Sequence, residues 1–447
     1  MHLAFVDSNP PALQAIKLAK RAGHRVTYLQ SAHTQYPLTD ANLALVSLVD
    51  HLVDGLVTTD HDMVTAALAE CHAAHPIDFV TTQHEMSAEA VAAACRALGL
   101  RGTAPEAVLT ARRKDRTRAA LRAAGLASAH FATAADEAAA LAAAERIGYP
   151  VVFKPPSGAA GLLACVVHDP AQARSAWQRL QRGLDAVPED WRGQFRRGVL
   201  IEEFLVGELV SVEIGARDGR FFPLCISGRY RWAGDGVTAL GSFIPAGLEA
   251  RQATACWEYA RRVCRAIGAD IGVFHLEIMV TRRGPVLVEF NPRVMGGGLP
   301  AAYRHATGQE VYAALLDILA GADDVAAPPF RAGCTAVRVV LPREAGRLGP
   351  DATLAPLEGH PCVKEVIGFG EYRTGPGSDV ARGQALARFI VQDSDPAAVE
   401  RTSEHLLSRL EPLLGVPLMT GSYRPGGPEH PGSPEHPGST EHPGSAE

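Results

Sequence analysis

Two glutamates, Glu277 and Glu289, lie on either side of a short Arg-Arg-Gly-Pro turn, and Asn291 and Arg293 follow the second glutamate at alternate positions. The segments FHLEIMV and VLVEFNPR around that turn read as two strands of a hairpin. In the first strand, alternation puts Phe274, Leu276, Ile278 and Val280 on one face and His275, Glu277 and Met279 on the other. In the returning strand it puts Val286, Val288 and Phe290 in the apolar set, leaving Leu287, Glu289 and Asn291 opposite. Pairing about the turn near Arg283 then makes Glu277 and Glu289 cross-strand neighbours. Two carboxylates facing each other at ~5 Å repel and weaken a hairpin, so something must compensate. Mg²⁺ does so naturally, because it takes hard oxygen ligands, and Asn291 adds a neutral third oxygen. With two ions, Glu289 can bridge them at the ~3.5–4 Å of two-metal sites. The competing reading is a solvated polar face with its charges splayed apart. The asparagine and arginine recurring at the same parity favour the metal.

Two further segments carry groups suited to a phosphate-rich ligand. The run VVFKPPSGAAG (151–161) ends in small residues, and the backbone N–H groups of Ser157, Gly158 and Gly161 can approach phosphate oxygens as other glycine-rich loops do. Lys154 supplies a compact ammonium that can follow a moving phosphate. The run LIEEFLVGE (200–208) reads as a strand and a turn at Gly207. Taken singly, these are also an ordinary lysine, an ordinary turn and an edge strand.

In order along the chain they are more specific. LVEFNPR followed by MGGG, with Gly297 and Gly298, resembles the metal and phosphate segment of ATP-grasp enzymes, and the resemblance extends over about 95 to 310. It implies that Lys154 is the second phosphate lysine and Lys114 the first. It further implies that the backbone of Glu202, Glu203 and Leu205 reads adenine, with Phe204 packing nearby and Glu208 on the ribose hydroxyls. Glu277, Glu289 and Asn291 become the metal ligands, and Arg293 is implied to lie against the transferred phosphate, where fixed positive charge acts most strongly. Without the resemblance, Arg293 reads equally as an ion-pair partner of Glu277 or Glu289. The cofactors implied are ATP and Mg²⁺, one or two ions, with Mn²⁺ as a substitute.

The expected reaction is an ADP-forming C–N ligation. A small carboxylic or amino acid attacks the γ-phosphoryl group, and an amine displaces phosphate from the acyl phosphate, catalysis resting on positioning and electrostatics. The loop 228–245 (GRYRWAGDGVTALGSFIP) is expected to close over the substrates, with Arg229, Arg231 and Trp232, together with Gly297 and Gly298 after the hairpin, as substrate contacts. Its Gly241-Ser242-Phe243 stands where the amino-acid ligases carry a His-containing segment, which leaves the identity of acid and amine open. The alternatives are a bicarbonate-phosphorylating carboxylase or carbamoyl-phosphate-type enzyme, and a nucleotide-binding regulator without turnover. The first lacks a biotin-carrier Met-Lys-Met segment, and the second is disfavoured by the intact polar set.

The elements that must position these residues follow from pattern. The opening LAFVD, SNP, ALQAIKLAKRAGH, RVTYL is the strand–turn–helix–strand rhythm of a parallel α/β unit, without a GxGxxG turn. Four units are expected: an α/β domain over 1–105, a two-part ATP-grasp domain over 106–327 with a small lid subdomain at about 150–210, a C-terminal α+β domain over 328–421, and a disordered tail over 422–447 that repeats an EHPGS-containing unit. A helix at about 250–267 carries Trp257, Ala260, Cys264 and Ile267 on one stripe and reads as core packing. Asp395 and Pro396 suit the N-cap and first position of a final helix.

Apolar residues make up 47% of the chain and charged residues 21%, a globular composition. A net charge of −6 provides no footprint for nucleic acid. No uncharged apolar run reaches membrane-spanning length and no secretory signal is recognisable, so a cytoplasmic protein is expected. Eight cysteines without a CxxC pair indicate neither zinc nor a disulfide framework. Assembly is left open, with a homodimer as one outcome.

Overall fold

Four parallel strands begin the chain: β1 (His2–Val6), β2 (Arg25–Ser31), β3 (His51–Leu56) and β4 (Phe79–Thr81), in the order β3-β2-β1-β4. The computed structural model describes residues 1–32, 38–158, 163–185, 187, 189–234 and 238–423. β1 is buried along its whole length because helices cover both faces of this sheet, which is why it reads as a continuous apolar run. Asn9 caps the short helical turn Pro10–Leu13 by accepting the Ala12 N–H at 3.2 Å.

A second, antiparallel sheet follows. Its strands β5 (Phe131–Ala134), β6 (Val151–Lys154), β7 (Cys165–Val167) and β8 (Val199–Glu203) lie in the order β5-β8-β6-β7. Helices Glu137–Ile147 and Pro170–Leu184 pack on one side of it through Ala140, Ala144, Ala173 and Leu180.

The remaining strands among the described residues form one nine-stranded sheet and a separate two-stranded one. β9 (Glu208–Arg217), β10 (Arg220–Trp232), β11 (Ala239–Ile244), β12 (Ile271–Thr281) and β13 (Gly284–Asn291) precede β14 (Cys334–Val340), a two-residue strand β15 (Gly346–Arg347), β16 (Val363–Ile367), β17 (Asp379–Val380), which pairs β15, β18 (Ala387–Asp393) and β19 (Ser422–Tyr423). The order is β13-β12-β9-β10-β11-β14-β18-β16, with β19 against β10. Strands from beyond the Pro328-Pro329 break therefore continue the same hydrogen-bonded ladder as the hairpin strands. β19 also puts Ser422 and Tyr423 into that sheet, correcting the expectation that the tail begins at 422. The repeats themselves lie outside the described residues.

The helix Ala250–Ile267 packs Ala260, Cys264 and Ile267 into the core, with Trp257 partly buried against them. The final helix, Pro396–Leu414, is capped by Asp395, whose carboxylate accepts from the N–H groups of Ala397 and Ala398. All eight cysteines are free. No helix among the described residues is long and apolar enough to cross a membrane.

Candidate active site

β12 and β13 pair as the alternation requires, with Glu277 directly opposite Glu289 and His275 opposite Asn291. Phe274, Leu276 and Ile278 enter the core, and His275, Glu277 and Met279 face a cleft of roughly 3790 Å³. The returning strand departs from simple alternation. Glu277 pairs Glu289 but Ile278 pairs Leu287, so Val288 is the extra residue of a bulge. Leu287 consequently joins the core beside Phe290, and Val288 lines the cleft with Glu289 and Asn291. The expected assignment of Leu287 and Val288 is thus reversed, while both carboxylates keep their common face.

Each carboxylate is met by a cation from a distant element. Lys114, the first residue of helix Lys114–Ala123, reaches Glu289 Oε1 at 2.5 Å, and its own backbone N–H donates to the Pro156 carbonyl at 2.8 Å. Arg229 donates to Glu277 Oε1 at 2.7 Å and to the hydroxyls of Ser211 and Ser242 at 2.8 and 3.1 Å. Burial alone would raise the Glu277 carboxyl. Arg229 and His275, with Lys114 beyond them, outweigh it and hold the group well below the usual carboxylate range. His275 is itself buried, which disfavours its cation, but Glu213 and Glu277 raise its pKa above the ordinary value. The His275 ring is bound to Glu213, whose other oxygen accepts the Met295 N–H at 3.0 Å.

Arg293 has a partner that the local sequence does not offer. Its Nη2 donates to Glu85 Oε2 at 2.9 Å, bridging the hairpin to the N-terminal domain. In its better-satisfied orientation the Asn291 amide donates to both Glu85 oxygens, at 3.3 and 3.1 Å. Glu85 also binds the buried Arg112, which donates to Gln194 Oε1 at 2.9 Å. Burial opposes the Glu85 charge, but Arg112, Arg293 and Lys114 prevail and lower its pKa. Arg293 thus pairs with neither Glu277 nor Glu289 among its described contacts.

On the other wall, Lys154 Nζ lies 2.5 Å from Glu202 Oε2, and Arg118 donates from Nε to Glu202 Oε1 at 2.8 Å. Burial would raise the Glu202 carboxyl, yet the two cations hold it down at about 2. Burial lowers the Lys154 pKa despite Glu202. Glu202 sits inside β8, flanked by Phe131 of β5 and Val152 of β6, so its backbone is engaged on both sides. The Glu203 N–H donates to the His130 carbonyl at 2.9 Å, and its side chain binds Arg283 in the hairpin turn. Phe204, Leu205 and Glu208 line the cleft, whereas Glu202 and Glu203 do not. Gly207 must be glycine here, because a Cβ would run into the Val280 carbonyl.

The remaining expected residues divide. Gly158, Arg231 and Gly297 line the cleft, and Gly161 lies outside the described residues. Ser157 is fully buried, and its hydroxyl has no hydrogen-bond partner among the described residues. Gly298 begins the helix Leu299–Thr307, where a Cβ would press on Val337. Trp232 is not on the cleft. Strand alternation sends Arg229 and Arg231 into it but turns Tyr230 and Trp232 to the opposite face, where Tyr230 is in the core and Arg382 stacks over Trp232 at 5.7 Å.

The cleft floor offers two carboxylates and an amide, an all-oxygen set suited to Mg²⁺. Among the described residues no group of three or more His, Cys, Asp or Glu gathers around a common point. The fit to a metal therefore rests on the Glu277–Glu289–Asn291 register and on a Glu277 carboxyl held well below the usual range.

Residues 147–300 match the ATP-grasp domain family, and residues 16–102 match the ATP-grasp N-terminal domain. Alanine–anticapsin ligase of Bacillus amyloliquefaciens is 27% identical over 259 residues, covering 54% of each chain. Dapdiamide A synthase of Enterobacter agglomerans is 34% identical over 167 residues, 36% of this chain and 37% of that protein. The match spans about half the length, or less, of these curated relatives. The crystal structure of an L-amino acid ligase from Bacillus licheniformis superposes with a TM-score of 0.73 at 19% identity, over 94% of this chain and 98% of that one. The mixed α/β architecture is accordingly the ATP-grasp fold.

Proposed function

The chain belongs to the ATP-grasp superfamily, with an N-terminal domain joined to the grasp domain, and on that premise we propose that it is an ADP-forming ligase joining a small carboxylic or amino acid to an amine. The observation that carries the reading is the cross-strand pair Glu277–Glu289, set beside Asn291 and Arg293 in the same cleft that Lys114 and Lys154 enter. The ligation named for alanine–anticapsin ligase and for the L-amino acid ligase supports amide formation.

In this reading Lys154, Gly158, Phe204, Leu205 and Glu208 hold ATP along the wall between the small sheet and the hinge. Glu277, Glu289 and Asn291 hold Mg²⁺, which when bound neutralises charge on the transferred phosphoryl group. Lys114 and Arg229 occupy the carboxylates as internal counter-ions, and Lys114 is placed to turn toward phosphate oxygens. The donor carboxylate attacks the γ-phosphoryl group and ADP leaves. The amine then attacks the acyl carbon, loses a proton and expels phosphate. Arg293, fixed by Glu85, faces the phosphoryl group throughout, as a preorganised positive charge. Ser157 and Glu202 act behind these contacts, Glu202 by fixing Lys154.

The test is ADP release by the full chain with Mg²⁺ and pairs of L-amino acids, in bicarbonate-free buffer. Amide product with stoichiometric ADP is expected. Strict dependence on bicarbonate would replace the ligase by a carboxylase, and ATP binding without ADP from any pair would leave a nucleotide-binding regulator.

A further inference from the structure

The cations of the cleft are not all neutralised. Lys114, Lys154, Arg229, Arg293 and Arg304 each meet a carboxylate. Arg388, half-buried on β18 and lining the same cleft, meets none among the described residues. Its Nη1 donates instead to the Tyr372 hydroxyl at 2.6 Å, and its guanidinium lies 5.2 Å from the centre of that ring. Of the nearby acids, Glu365 binds Arg304 and His305, Glu310 lies 3.3 Å from Arg304, and Glu371, next to Tyr372 on the cleft, forms no ion pair with Arg388. Arg388 is thus oriented by a neutral phenol and forms no ion pair among the described residues. A partly desolvated cation in that state favours an incoming carboxylate, which the planar guanidinium can accept through two parallel hydrogen bonds.

Its place in the cleft decides whose carboxylate. A Cβ at Gly296 would stand 3.3 Å from Arg293 Nη1, and one at Gly297 would stand 4.0 Å from Arg388 Cζ. The glycine turn after the hairpin therefore has the phosphoryl-side arginine on one flank and Arg388 on the other. Glycine interposes no side chain, and at Gly297 the backbone is left-handed (φ +60°), so other residues are disfavoured there. The reacting carboxylate of the donor belongs on the Arg293 side, next to the carboxylate pair. A second, unreacting carboxylate on Arg388 belongs to a molecule approaching across the turn.

We propose that Arg388 and Tyr372 bind the α-carboxylate of the amine substrate, so that the acceptor is an α-amino acid and the product a dipeptide with a free C-terminal carboxylate. This deepens the ligase reading and rests on it. A simple amine would leave Arg388 without a counter-charge.

The experiment uses the full chain in two arms. In the first, the best pair of L-amino acids found by phosphate release with MgATP is compared with the same pair carrying its acceptor as the α-carboxamide. Arg388→Gln is expected to raise the acceptor KM about tenfold or more, as loss of a charge-assisted pair does, leaving the KM of donor and ATP in place. Tyr372→Phe should shift it in the same direction by less, and the carboxamide should be a poor acceptor, equally poor in both arginine and glutamine proteins. An unchanged acceptor KM overturns the assignment. So does a rise confined to the donor, which would mean that Arg388 reads a dicarboxylic donor. In the second arm, L-amino acids and their α-carboxamides are titrated calorimetrically into the chain holding Mg²⁺ and a non-hydrolysable ATP analogue. Binding of the acids, not the amides, that disappears in Arg388→Gln supports the subsite even if no pair is ligated, an outcome that would sink the ligase reading alone. Equal binding of acid and amide overturns it.

Discussion

Two lysine–glutamate pairs close at the same distance, 2.5 Å, and are built for opposite purposes. Lys154–Glu202 is shut. The Glu202 side chain is 5% exposed, a second cation, Arg118, holds its other oxygen, and its strand is flanked on both sides. Lys114–Glu289 is open. The Glu289 side chain is 20% exposed to the cleft and Lys114 is its one ion-pair partner among the described residues. A buried carboxylate with two cations stays where it is, because losing either partner leaves a charge uncompensated in a low dielectric. One with a single partner at a cleft wall can exchange that partner for a ligand at lower cost. The same pairing chemistry thus makes Glu202 a fixture and leaves Glu289 the more exposed of the two, on the cleft, as the proposed metal role requires.

The largest expected effect breaks the open side. Glu289→Ala should abolish Mg²⁺-dependent ADP formation while the circular dichroism spectrum and thermal midpoint stay close to those of the wild type; retained turnover would remove Glu289 from the metal set. On the closed side the effect should appear in stability instead. Glu202→Ala strands Lys154 and Arg118 and should cost ~3–5 kcal/mol in urea unfolding. The sign with pH sharpens this. Because the folded pKa, about 2, lies below the ordinary 4.5, the Glu202 contribution is complete above the unfolded value and is lost as pH falls through that window. The stability gap between the wild type and Glu202→Gln should therefore be constant near neutrality and narrow below about pH 4.5. A gap that widens on acidification would show that the carboxylate is not held ionised.

A smaller effect is expected at the bridge between domains. Glu85→Gln keeps the shape but releases Arg293, so kcat should fall on the order of 10- to 10²-fold, as small misplacements of catalytic groups do, with ATP affinity preserved. Unchanged kcat would mean that Arg293 needs no anchor from the N-terminal domain.

Much of this site could be read from strand parity. Glu277, Glu289 and Asn291 share a face because alternation is local, and Arg229 and Arg231 enter the cleft for the same reason. Applied one residue further, parity also excludes Trp232, which a reading of the segment as a single closing loop overlooked. The bulge at Val288 could not be read, since an inserted residue leaves VLVEF looking like an unbroken strand. Glu85 was invisible for another reason: it lies 208 residues from Arg293 and is joined to it only by the docking of the first domain on the hairpin. Glu202 was expected to meet adenine through its backbone, but that backbone is engaged on both sides, and what its side chain does depends on Arg118 arriving from a helix with no local signature. Arg388 and Tyr372 escaped because they belong to the last segment of the chain, where no motif points to the cleft.

The ladder that runs from β13 to β16 without interruption has a consequence for dissection of the chain. Cutting after Ala327 would not release a separable module. It would strip β14 from β11, bare a row of amide and carbonyl groups, and uncover Tyr230 and Phe243, which are buried against the last segment's own apolar residues. Such a fragment should self-associate through its raw edge. Shortened versions of this protein are better made by trimming the repeats past Tyr423 than by removing what precedes them.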